Sequence, residues 1–465
     1  MRDVSRRHLL QAALAAPLSL TTAGSSFAQN SQEGTKLVQK AKRVVYLFQA
    51  GGPSQLEMFD PKPGLAALRG TELPDSVRRN ARLTTMTSGG PLTVANALLN
   101  FAQHGQSGMW VSELFPHIAS IADDLCLVRS MRSDAVNHDP ATNLALTGSQ
   151  LTGMPSIGAW LSLALGNENP DLPTFLTMTS SSKSQFTQPL GKRLWGSAFL
   201  PVEHQGVNLR PGSRPVLYLD DGTQLPGNRR RELYDTIQQL NQLRHAQTHD
   251  PEILRRSQAY EIASRMEHSL VELADVQGES EDVLELYGPQ VKTPGTYAAN
   301  CLRARRLLER GARFVQLMHK GWDHHYTQTE HMRLLAEDTD QPTAGFIKDL
   351  QRTGLLDETL VVWGGEFGRT AYSQGEVTAD DHGRDHHPHC FNVLLAGAGV
   401  RAGTSYGETD DFSFNIVKNP VHVHDLHATI LHLVGVDHRQ HTFHHQGRDH
   451  RLTDIGGNVV HDILS

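Results

Sequence analysis

Cysteine is scarce in this chain: Cys126, Cys301 and Cys390 are the only three in 465 residues, and no two of them form a C-x-x-C pair. Three widely separated thiols do not make a disulfide framework, and a cysteine-built zinc site is disfavoured for the same reason. Cys126 and Cys390 fall in or beside apolar runs and read as small buried hydrophobes. Basic charge is not in excess either. Lys and Arg total 43 against 50 Asp and Glu, a formal charge of −7. A nucleic-acid partner is therefore not expected, since that affinity rests on a basic face that neutralises phosphates. Long hydrophobic runs are missing as well, so the mature chain should carry no transmembrane segment. Histidine, by contrast, is abundant at 26 residues. It is the commonest metal ligand and titrates near neutrality, which tilts expectation towards metal chemistry.

The chain begins MRDVSRRHLLQAALAAPLSLTTAGSSFAQN. Arg6 and Arg7 sit in Ser-Arg-Arg-x-Leu-Leu, a twin-arginine export signature. The apolar region that follows is too short to span a bilayer, and Ser26-Phe27-Ala28 offers a small-x-small cleavage site. Residues 1–28 are expected to be a signal peptide, and the mature protein to be periplasmic or secreted.

Six short, β-branched-rich apolar runs read as buried strands: residues 43–50, 125–131, 173–178, 313–319, 359–364 and 391–396. Helical patterns lie between and after them, at 111–122, 228–244, 251–274, 296–310, 331–352 and 423–433. This alternation predicts an α/β fold. The expected architecture is a three-layer αβα sandwich around a mostly parallel, doubly wound sheet. One domain would run from 29 to 465, with a helical insertion at about 180–292 that opens on a polar run and continues as charged helices.

Ligands of open α/β sheets bind beyond the carboxyl ends of the strands, and the most polar clusters of this chain fall at strand ends. They are "RSDAVNHDPATN" with Asp134, Asn137, His138 and Asp139; "KGWDHH" with Asp323, His324 and His325; and "GEFGRT" with Glu366 and Arg369. The fourth, "DDHGRDHHPHC", lies just before a strand and carries Asp385, His386, His387 and His389. Asp and His one residue apart in an extended segment can share a side. A histidine from another loop would complete a nitrogen–oxygen site for zinc or a similar divalent ion. Any one His-rich loop alone is more often a solvated surface. His422, His424, His427, His432, His438, His441, His444 and His445 are read as surface or packing residues, and Asp425 as the N-cap of the last helix.

The strings "VVWGGEFGR", "GRDHHPHCFNVLLAGAGVRAG" and "HDLHATILHLVGV" resemble the C-terminal half of the alkaline phosphatase and sulfatase superfamily, and "NHDPATNLALTG" resembles the sulfatase nucleophile segment. More closely, "GGPSQ" with "FDPKP", "NHDPA", "GWDHH", "GEFGRT" and "GRDH" resemble a bacterial family of twin-arginine-exported, sulfatase-like proteins that carry a domain of unknown function. The resemblance implies a metal-dependent hydrolase of sulfate or phosphate esters acting on a small-molecule or glycan ester. Zinc is the expected ion, with calcium or manganese as alternatives. It implies Asp323, His325 and His386 as metal ligands and His138, Glu366 and Arg369 as catalytic candidates, with Asn137, Asp139 and Ser54 near the substrate. Glu366 is a candidate fourth ligand or general base. The chain also departs from the superfamily. "FQAGGPSQ" has no aspartate at the end of the first strand, Glu366-Phe367 replaces an Asp-His pair, and His138 and Thr142 stand at the nucleophile and arginine positions. A degenerate relative that binds a sulfated or phosphorylated glycan without turnover is therefore the alternative expectation.

Overall fold

The computed structural model describes residues 37–465 apart from 80, 82, 187, 213–226, 251, 252, 254–256 and 258–277. The expected signal peptide and most of the helix expected at 251–274 lie outside the described residues. Among the described residues nine strands form the central sheet: β1 Arg43–Ala50, β2 Cys126–Arg132, β3 Phe175–Ser180, β4 Val207–Leu209, β5 Phe314–Lys320, β6 Thr359–Gly364, β7 Phe391–Ala396, β8 Thr404–Tyr406 and β9 Val421–His422. Their order is β8-β2-β7-β6-β1-β5-β3-β4, and β9 also pairs with β2. The sheet is parallel except for β7, which runs antiparallel to both β2 and β6.

The apolar runs form these strands because both faces of the sheet are covered, as parallel sheets require. Along β1, Val45 and Leu47 enter one core while Val44, Tyr46 and Phe48 enter the other. The first core is filled by α3 Glu281–Tyr287, α4 Tyr297–Glu309 and α5 Gln328–Arg352. The second is filled by α1 His138–Thr147, α2 Ile157–Leu165 and α6 Val423–Leu433. The three-layer αβα arrangement follows. Local signals set the helix ends: the Ser156 and Thr296 side chains accept from Ala159 N and Ala299 N, and Gly148 closes α1 in the left-handed region at φ 72°.

Several expectations are corrected. Residues 111–122 are not one helix. Met109–Ser112 pairs antiparallel with Phe101–His104, and Pro116 then starts a short helix, Pro116–Ala119. The stretch at 180–292 holds the helix Gly227–Thr248, but it also holds β4, which extends the sheet beside β3. The N-cap of α6 is His422 rather than Asp425. The His422 backbone N–H donates to the Asp425 carboxylate, a reciprocal capping box with Asp425 at the third helical position.

Candidate metal centre

The single reversed strand decides where the polar clusters meet. In a parallel sheet the loops that follow strands share one edge. Because β7 is antiparallel, the segment that precedes it reaches that same edge. His386 and His387 pair antiparallel with Arg369 and Gly368 there, and Ser133 N–H, just past β2, donates to Pro388 O. The first turn of α1 then places His138 beside them. Pro140 is tolerated in that turn, where backbone N–H groups have no helical partner in any case.

His138, Asp323, His325 and His386 converge so that their candidate ligand atoms all lie within 4.8 Å of one another. The focus is Asp323 Oδ1. It lies 2.8 Å from His325 Nε2, 3.0 Å from His138 Nε2 and 3.3 Å from His386 Nε2, with Arg369 Nη2 at 2.8 Å. Each imidazole is held from behind through Nδ1. His386 Nδ1 meets Val136 O at 2.9 Å, His325 Nδ1 meets Gln374 Oε1 at 2.5 Å and His138 Nδ1 meets Glu366 Oε1 at 2.7 Å. Side-chain exposures of 12% for His138 and His325, 16% for Asp323 and 9% for His386 leave the cluster narrowly open to solvent.

This arrangement has a chemical consequence. Carbonyl and carboxylate acceptors behind Nδ1 fix the proton on that nitrogen, so in the neutral imidazole the Nε2 lone pair points inward. Three inward lone pairs then face a carboxylate oxygen, a polarity that a cation resolves. His138 Nε2 is buried and has no partner in hydrogen-bonding geometry despite its 3.0 Å approach to Asp323. Burial pushes His386 down to about 4, and Arg369 and His138 add to that effect against the opposing pull of Asp323. Burial alone would raise the Asp323 carboxyl, but the three imidazoles and Arg369 outweigh it and hold it well below the usual carboxylate range. Burial would lower His138, yet the neighbouring Asp323 and Glu366 carboxylates raise it.

The surroundings keep these atoms in place. Glu366 is fully buried and accepts the Gly51 N–H at 3.0 Å on Oε1. Gly51 has φ 119°, and a Cβ there would lie 2.6 Å from Asp323 N, so only glycine lets the β1 loop pass. The Asp385 carboxylate accepts from the Thr84 and Thr87 hydroxyls and from His386 N–H, which fixes the loop that carries His386. Phe367 packs its ring against His138 and His386, with centroids 4.9 and 4.8 Å apart.

Of the residues singled out by sequence, Asp323, His325, His386, His138, Glu366 and Arg369 come together. Glu366 reaches the cluster through His138 rather than as a direct neighbour of Asp323. Three others do not join it. The Ser54 hydroxyl donates to buried Glu57, Asp139 is exposed and paired with Arg193 at 2.6 Å, and Asn137 is exposed at the start of α1. His324 and His387 are buried in packing, His387 through a 2.8 Å contact with Phe414 O. Gln188 and Gln374 touch the cluster, yet nothing in their sequence context singles them out; lone glutamines in polar loops carry no spacing signal.

Fold and site together define a mostly parallel α/β protein with a three-histidine, one-aspartate cluster at the carboxyl edge of its sheet. The chain belongs to the family described as protein of unknown function (DUF1501), whose profile matches residues 41–464. No curated protein matches it. Among solved structures it is similar to an alkaline phosphatase superfamily protein from Vibrio parahaemolyticus, at 11% identity and TM-score 0.38, covering 86% of this chain and 68% of that one. It is also similar to a phosphonate monoester hydrolase from Silicibacter pomeroyi (12%, TM-score 0.33, covering 75% and 71%). A sulfatase from Pseudoalteromonas sp. matches at 12% and TM-score 0.34, covering 86% and 68%.

Proposed function

We propose that the protein is an exported, metal-dependent hydrolase of sulfate or phosphate esters, acting on a small-molecule or glycan ester. The observation that carries this reading is the convergence of three imidazole Nε2 atoms on one carboxylate oxygen at the edge where α/β sheets bind ligands. Three nitrogens and one oxygen suit zinc, and manganese also accepts such a set, whereas calcium takes oxygen ligands. His138, Asp323, His325 and His386 would hold the ion, which when bound polarises an ester oxygen or acidifies water.

The remaining roles belong to the chain's own groups. Glu366 keeps the His138 proton on Nδ1 and makes Nε2 a stronger donor of its lone pair, as carboxylates behind metal-bound histidines do. Both nitrogens of His138 are thereby committed, so we assign it as a ligand rather than as a nucleophile or general base. Arg369 sets a buried positive charge beside Asp323, where it favours an anionic group. The Ser-Arg-Arg-x-Leu-Leu leader supports export.

The test is metal analysis of the mature chain with assays of aryl sulfate and aryl phosphate hydrolysis, repeated on His386→Ala. Bound metal and turnover, both lost in the variant, are expected; activity unchanged after metal removal would sink the reading. One observation favours a second reading, a protein that binds a sulfated or phosphorylated glycan without turnover. Among the described residues no Ser, Thr or Cys side chain hydrogen-bonds to the four cluster side chains. Tight glycan binding with no hydrolysis across several divalent ions would decide for it.

A further inference from the structure

After β3, described residues on either side of the cluster are pinned: 183–186 on the α5 side, and Arg193, in the 3-10 turn Lys192–Trp195, on the α1 side. On one side the Lys183 backbone N–H donates to Asp338 Oδ2 at 2.9 Å and its Nζ pairs with Glu337 at 2.7 Å, both on α5. The Phe186 ring stands edge-on to His331, centroids 4.7 Å apart. On the other side Arg193 reaches Asp139 at 2.6 Å and Asn143 at 3.1 Å, both on α1. Between these anchors lies Gln188, whose side-chain N–H donates to Asp323 Oδ2.

The two oxygens of Asp323 are therefore treated differently. Oδ1 faces the three imidazoles and Arg369, while Oδ2 is held by Gln188. We propose that Gln188 is a positioning residue for the metal centre: by occupying Oδ2 it makes Asp323 a one-oxygen ligand and fixes the plane of its carboxylate. The proposal rests on the reading of the cluster as a metal site. Its physical basis is that the terminal torsion of aspartate is broad, so a carboxylate held at one oxygen only can turn and offer either oxygen or both. A donor on the outer oxygen removes that freedom, and partners of this kind hold ligand geometry in metal sites generally. Gln188 comes from a segment without regular structure, so metal retention is tied to the seating of that segment on α5 and α1.

The test uses the full mature chain as wild type, Gln188→Ala and Gln188→Glu, stripped of metal and titrated with Zn2+ or Co2+ against a chelator of known affinity. Glutamate matches glutamine in shape but, as a carboxylate, has no proton to give Asp323. Both variants are expected to lose roughly 10–100-fold in affinity and to shift the visible band of bound Co2+. The thermal midpoint of the metal-free proteins should stay at the wild-type value. Wild-type affinity in Gln188→Ala, or a loss in Gln188→Ala that Gln188→Glu restores, overturns the proposal, the second because it would mark a packing role. A wild-type chain that takes up neither ion overturns the metal reading itself, and the assignment with it.

Discussion

Acidifying the metal-free protein from pH 6.5 to pH 4 is expected to remove most of its stability, and His427→Gln is expected to give part of it back. His319 and His427 are buried, and burial pushes both from the usual 6.5 down to about 3. His427 Nε2 contacts Ala145 O at 2.8 Å near the end of α1, and its Nδ1 is buried without a partner, so no acceptor repays a second proton. His319 Nδ1 meets the Ser180 hydroxyl at 2.7 Å, and Asp338 lies 3.8 Å from its Nε2. As pH falls through 6.5 the unfolded chain takes up a proton at each histidine, while the folded chain does not until about pH 3. Between those values the unfolded state holds more protons, so stability rises with pH there and is lost on acidification. Each group contributes about 1.4 kcal/mol per pH unit. The two together give roughly 3 kcal/mol per unit over most of that window, or on the order of 6 kcal/mol between pH 6.5 and 4, against a total of roughly 5–15 kcal/mol for a typical domain. Glutamine keeps a side-chain N–H for Ala145 O and cannot be protonated. Urea unfolding followed by circular dichroism from pH 4 to 6, with a chelator present, should show the slope of stability on pH smaller by roughly 1 kcal/mol per unit in His427→Gln. Carboxylates titrate alike in both proteins, so they cancel in the difference. Equal slopes would refute the reasoning.

Glu366→Ala should weaken zinc binding by roughly 10–100-fold, because it frees His138 to turn and leaves the Gly51 N–H without its acceptor; competition with a chelator measures this. Gly345→Ala should lower the thermal midpoint even though alanine favours helix by about 1 kcal/mol over glycine. A Cβ at that point of α5 would lie 2.1 Å from the Leu286 carbonyl oxygen, and differential scanning calorimetry would show which effect wins.

Strands buried on both faces were the most legible part of the sequence. β1, β6 and β7 have the expected bounds, because unbroken apolar runs of that length have few other ways to hide. Edge strands of two or three residues, such as β4 and β9, have too little pattern to stand out. The whole of α1 was missed because "NHDP" reads as a loop, and its helical character rests on the apolar residues Ala141, Leu144 and Ala145 that follow and face the core. In the cluster, charged and histidine residues at strand ends were visible as motifs. Their convergence was expected from the strand-end rule and from the resemblance rather than from any local pattern, since it depends on the direction of β7, which no local pattern encodes. Of the backing groups only Glu366 was singled out: Val136 contributes a carbonyl, and Gln188 and Gln374 contribute single amides of a kind common in polar loops.

The cluster draws on segments far apart in the chain; His138 and Glu366 alone are 228 residues from each other. Its four candidate ligands sit on the segments that follow β2 and β5 and precede β7, and they are backed by the segments that follow β1 and β6. No fragment that lacks one of these strands assembles the donor set, and loops this long close late because their contacts repay the entropy of closure only at the end. A bound ion would thus act as an assembly check: a chain that holds it has finished its sheet, and a truncated or misregistered chain has no place to keep one.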